Sequence, residues 1–126
     1  MRLSRSIVAA CLSSFFLGAG AMWAQQRAAS RREPQFENDQ VKVWKSIIMP
    51  KQPLTLHRHD HGRTLIALTN GQVNVVDKDG KRRDGYKWMR GKAYWLDADP
   101  VGQMHADVNV SGKPIEVIVV EMKKDK

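Results

Sequence analysis

LTLHRHDHGRTLIALTNG, residues 54–71, is the stretch that decides how the chain is read. His57, His59 and His61 fall two residues apart in it, between Pro53 and an apolar run at residues 65–68. The 126-residue chain has four histidines, so three of them lie within five positions; the fourth is His105. On an extended strand, side chains at i and i+2 point to one face, so His57 and His59 can aim at a common point. Neutral imidazole is the commonest protein ligand for borderline metals, and three of them leave a position open for water or substrate. The spacing points to a metal site in a β-structured chain.

Short β-strands with turn signals between them surround this stretch. Residues 41–48, 54–59, 64–69, 72–76, 86–89, 93–96, 105–110 and 115–122 are the expected strands. Pro50 and Pro53 interrupt pairing, and Asn70-Gly71 is expected to form a tight hairpin turn joining the strands on either side. No long stretch after the N-terminal leader has a helical period. Strands at this spacing argue for an all-β sandwich or barrel.

The N-terminus has the layout of a secretory signal peptide. Arg2 and Arg5 precede an apolar run at residues 7–17, and the small residues of GAGAMWA follow at 18–24. The run is too short for a comfortable membrane span. Residues 1–24 are therefore expected to be a signal peptide, cleaved after Ala21 or Ala24, with a lipoprotein at Cys11 and an uncleaved anchor as alternatives. The expected location is secreted or periplasmic, with no stable membrane insertion after cleavage. Residues 25–37, QQRAASRREPQFE, are polar and basic and read as a flexible linker. The folded domain is expected to occupy residues 38–123. Cys11, the only cysteine, falls in the leader, so a cleaved chain has neither a disulfide nor a thiol nucleophile.

The formal net charge is +8, and loss of Arg2 and Arg5 with the leader would leave +6. The basic residues are scattered, and no basic stripe interleaved with aromatics is present, which argues against nucleic-acid binding. The charge suits a small anionic ligand.

Together with PVGQMHADVN, residues 100–109, the histidine stretch resembles the two motifs of the cupin superfamily. The first is written G-x5-H-x-H-x(3,4)-E-x6-G, and His57, His59 and Gly71 match it. The second is G-x5-P-x-G-x2-H-x3-N, and Pro100, Gly102, His105 and Asn109 match its last four fixed positions without a gap. The resemblance implies a single RmlC-like jelly-roll β-barrel, preceded here by the signal peptide and arm. It implies a divalent metal (Fe, Mn, Ni, Cu or Zn) held by His57, His59 and His105. It implies no single reaction, because cupins include dioxygenases, isomerases, sugar-binding proteins and metal-free members.

The sequence departs from the motifs in three places. Lys51 stands where the first motif opens with glycine, and eight residues separate Gly91 from Pro100 where the second has five. The metal-binding glutamate of the first motif falls on Thr64, beside Arg63. A site with three histidines and no carboxylate keeps the full charge of its metal and favours an anionic ligand.

His61, Thr64, Gln103 and Glu121 are further candidates for metal or pocket contacts, with Glu121 able to supply the missing acid from another strand. Arg63, Trp95 and Met104 are candidate substrate-lining residues. Strand parity is expected to turn Thr64, Ile66 and Leu68 inward and Arg63 outward. Asn109 is expected to fix backbone rather than touch substrate. The sequence leaves two functions open: a dioxygenase- or isomerase-like enzyme acting on a small organic anion, and a non-catalytic small-molecule-binding module with or without metal. Jelly-roll proteins of this kind often pair through edge strands, so a homodimer is a further expectation.

Overall fold

The computed structural model describes residues 29–124. The expected signal peptide and the first part of the expected linker lie outside the described residues. Eight strands follow one another in the chain: β1 (Arg31–Glu37), β2 (Val41–Ile48), β3 (Arg63–Ala67), β4 (Gly71–Val76), β5 (Arg82–Trp88), β6 (Ala93–Leu96), β7 (Ala106–Asn109) and β8 (Ile115–Met122). All pairings are antiparallel. They make a five-stranded sheet, β1-β2-β8-β3-β6, and a three-stranded sheet, β5-β4-β7. The all-β jelly-roll expectation holds, but the two sheets do not close into a barrel. Where β2 runs out toward β7 only two isolated bridges form, Pro50 with Asn109 and His57 with His105. Proline has no N–H to continue a ladder, so Pro50 and Pro53 hold this edge open.

The core lies between the sheets. Alternation along β8 buries Ile115, Val117 and Val119, and they pack with Trp44, Ile48, Leu65, Val73 and Trp88 from the neighbouring strands. Asn109 is fully buried, and its amide donates to the carbonyls of Ile48 (2.8 Å) and Lys113 (2.7 Å). Its Oδ1 accepts from the Ser111 N–H at 2.8 Å. One side chain thus ties the end of β2 to the turn between β7 and β8, fixing backbone as the sequence suggests for this position.

Four expectations about the backbone are corrected. Residues 31–37 are strand β1, not part of a flexible linker, so the folded domain begins before residue 38. This strand is almost entirely exposed, and ladder bonds to β2 hold it, with Ser30 Oγ accepting from the Met49 N–H at 2.8 Å. Such a segment carries no hydrophobic period to read. Residues 54–59 do not form a strand; the reciprocal bonds between His57 and His105, both 2.8 Å, and the bonds between His59 and Asp99 anchor them.

Asn70-Gly71 does not close a hairpin, because β3 and β4 belong to different sheets. Asn70 Oδ1 instead accepts from the Arg90 N–H at 2.8 Å. Gly71 is required for space: an added Cβ would lie 2.3 Å from the Ile115 side chain. Finally, the parity of β3 is the reverse of that expected. Arg63, Leu65 and Ala67 are buried, while Thr64 and Ile66 are only half-buried.

Candidate metal centre

Two short stretches bring the histidines together. His57 and His59 come from the coil between β2 and β3, and His105 immediately precedes β7. The bridge between His57 and His105 sets the two motifs side by side. One ring nitrogen from each of His57, His59 and His105 falls in a group whose atoms all lie within 4.8 Å of one another. The ring centroids are 4.5 Å apart for His57 and His105, and 4.8 Å for His57 and His59.

Each imidazole is turned by an acceptor at Nδ1. The Thr55 carbonyl lies 2.7 Å from His57 Nδ1, and Glu121 Oε1 lies 2.6 Å from His59 Nδ1. Asp99 Oδ2 lies 3.1 Å from His105 Nδ1, and the same oxygen accepts from the His59 N–H at 2.7 Å. A carbonyl or carboxylate can only accept, so each Nδ1 carries the proton and each Nε2 presents a lone pair. Anchoring of this kind fixes the tautomer and raises ligand basicity at metal sites. Trp44 stacks beside His59 at 6.0 Å with an interplanar angle of 3°, which holds the ring's plane.

Burial also favours the neutral form of His57 and His105. It pushes His57 down to about 4, with the Arg32 guanidinium adding to the effect against the Thr55 hydrogen bond. His105 is lowered by burial too, and Arg63, Arg32 and His59 add to this while Asp99 opposes it. Metal ligation needs the neutral form, so these groups are ready to ligate near neutral pH. His57 Nε2 is buried without a hydrogen-bond partner among the described residues. An orphaned acceptor beside two further Nε2 lone pairs fits a borderline divalent ion and has no role in a purely structural cluster.

A cavity of about 60 Å³ adjoins the cluster, lined by His59, His105, Asp107, Arg63, Trp44 and Trp88 among others. That is room for a handful of water-sized groups. Glu121, a candidate from sequence, is brought to the cluster as the acceptor for His59. Arg63 points inward, contrary to the parity argument: it is 7% exposed, lines the cavity and donates from Nη1 to the Asp97 carbonyl at 3.0 Å.

The other candidates lie elsewhere. Thr64 pairs with Trp95 and Val120 on the outer face of its sheet and does not line the cavity. Gln103 is exposed and lines a separate surface groove with Met104, which is 46% exposed. Trp95 is 56% exposed and packs over Gly62, donating to Asp97 Oδ1 at 2.9 Å. His61 sits in a bend outside the three-histidine group.

Sequence reasoning missed Asp99, Asp107 and Arg32. Asp107 shares the strand parity of His105, a signal that was legible. Asp99 comes from the enlarged bend before the second motif, and its role depends on where that bend folds. Arg32 is exposed at the cavity's rim, its guanidinium 4.9 Å from the Trp44 ring centroid, on a strand without pattern.

No protein-family model matches the chain, and no functionally curated protein matches it. Solved structures do. A cupin domain from Bordetella pertussis Tohama I superposes with a TM-score of 0.64 at 22% identity, over 76% of this chain and 95% of that one. An RmlC-like cupin family protein with a double-stranded β-helix fold, from Methanocaldococcus jannaschii, gives 0.57 at 13% identity over 75% of this chain and 81% of that one. A cupin superfamily protein from Desulfitobacterium hafniense DCB-2 gives 0.54 at 7% identity over 75% and 78% of the two chains.

Proposed function

The chain has the cupin fold, and from that premise we propose that it is an exported cupin metalloprotein acting on a small organic anion. One observation carries the reading: one ring nitrogen from each of three histidines falls in a group whose atoms lie within 4.8 Å of one another, and each ring has an acceptor at Nδ1. Export is supported by the basic, apolar and small-residue layout of residues 1–24.

His57, His59 and His105 would hold the ion. Bound there, a divalent metal supplies Lewis acidity to a coordinated substrate oxygen. The protein does the rest. Arg63 lines the cavity from within and Arg32 stands at its rim, so an anion entering meets two guanidiniums before it reaches the histidines. The apolar walls, Trp44 and Trp88 among them, exclude bulk water and strengthen these charge interactions. A space of about 60 Å³ limits the buried part of the ligand to a carboxylate, enolate or similarly small group. A dioxygenase- or isomerase-like reaction suits such a site.

Elemental analysis of protein purified without a metal-binding tag tests the reading, beside a His57→Ala, His59→Ala double variant. Near-stoichiometric metal that disappears in the variant supports it, and iron would direct the next assay to oxygen consumption. A wild-type protein that neither carries metal nor takes it up on reconstitution refutes it, leaving a metal-free binding module.

A further inference from the structure

We propose that Asp107 is a fourth protein ligand of this metal, an oxygen donor that takes over from the carboxylate missing at Thr64. The inference rests on the metalloprotein reading above. Asp107 lies on β7 two residues after His105, so the two side chains leave the strand on the same face. Its Oδ1 is 3.9 Å from His105 Nε2, and its Oδ2 is 4.0 Å from His57 Nε2. Two atoms that each sit about 2.1 Å from one ion can be at most about 4.2 Å apart, so both pairs can share a metal.

Three carboxylates approach the imidazoles, and their positions separate their roles. Glu121 meets His59 at Nδ1, and the Asp99 oxygen meets His105 at Nδ1. Both stand behind the rings. Asp107 alone of the three faces Nε2, the side that carries the lone pairs.

The surroundings of Asp107 need a cation. Its side chain is well covered, 19% accessible. A buried carboxylate is costly unless something pairs with it. The contacts near 4 Å are too long to pair it well. A divalent ion among these atoms would satisfy the carboxylate, the orphaned His57 Nε2 and the other two lone pairs together. It would also lower the net charge of the metal centre to +1, leaving Arg63 and Arg32 as the main attraction for an anionic ligand.

Asp107→Asn keeps the shape of the side chain and removes the charge. The test is Zn²⁺ titration of wild type and variant against a chromophoric chelator, with Co²⁺ absorption spectra of both and melting curves of the metal-free proteins. The expected result is an affinity at least 100-fold weaker in the variant, a changed Co²⁺ spectrum, and a metal-free melting temperature no lower than that of wild type. Equal affinity with an unchanged spectrum overturns the inference while leaving the three-histidine site intact. A wild type that binds neither ion sinks the metalloprotein reading itself. Should Asp107→Asn fail to fold, a crystal structure of Zn²⁺-loaded wild type decides. An Asp107 oxygen about 2.2 Å from the ion supports the ligand, and a water in its place overturns it.

Discussion

Glu121 offers the sharpest test of how the histidines are prepared. Its Oε1 lies 2.6 Å from His59 Nδ1, and His59 is 5% exposed, so the bond is short, charge-assisted and shielded from water. Glu121→Gln leaves an amide oxygen to accept the same proton, so the ring keeps its tautomer but loses the negative partner behind it. A charge-assisted hydrogen bond contributes roughly 1.5–3 kcal/mol and a neutral one roughly 0.5–1.5, so the metal-free protein should lose about 1 kcal/mol. The effect on metal is larger. Removing an outer partner of a ligating histidine typically weakens binding about 10–100-fold, equivalent to about 1.4–2.7 kcal/mol.

Glu121→Leu removes the acceptor altogether and frees the ring to turn, so it should bind metal more weakly still. Chelator competition with Zn²⁺, with urea melts of the metal-free proteins alongside, reads both quantities. The expected order of affinity is wild type, Glu121→Gln, Glu121→Leu. Equal affinity across all three would refute the view that this carboxylate prepares His59 for a metal.

Three other outcomes follow from the same physical picture. In the metal-free protein, His57 is held down to about 4 against an ordinary 6.5, so the unfolded chain takes up its proton first as the pH falls. Stability from this group is therefore full above about pH 6.5 and is lost on the way down to about pH 4, by about 3 kcal/mol; urea melts across that range should show His57→Gln with the shallower dependence. Lys51 has a φ of 59° at the position where the cupin motif carries glycine. Relief of a left-handed lysine is worth about 1–2 kcal/mol, partly offset by the freer unfolded chain, so Lys51→Gly should stabilise by about 0.5–1 kcal/mol while Lys51→Ala should not. Asn109→Ala would strand the Ile48 and Lys113 carbonyls and the Ser111 N–H. Only the bond to Ile48 is fully buried, so at about 1–3 kcal/mol for an unsatisfied buried group a loss of about 2 kcal/mol is expected in chemical denaturation.

The sequence alone determined the all-β class, most of the strands from 41 onward, and the three histidines that converge. Those features rest on local rules: the two-residue period of a strand, and fixed spacings that survive folding. It also offered Glu121 as a candidate for the missing acid, because alternation along IEVIVVEM puts it on the face of Ile115, Val117 and Val119, but the structure sets that carboxylate behind His59, at Nδ1.

Only the tertiary structure decided the rest. Asn70-Gly71 reads as a hairpin turn because dipeptide chemistry is local, but whether two strands pair depends on the sheet each one joins. The wrong inner face for β3 came from the same limit: parity says which residues share a side, and packing alone says which side is the core. Arg63 enters the cavity for that reason. Strand β1 was invisible because backbone ladder bonds, not buried side chains, hold it to β2. The carboxylates at Asp99 and Asp107 look alike in sequence. Their different roles arise from which ring nitrogen each one faces, a distinction that exists only once β7 and the coil bearing His57 lie side by side.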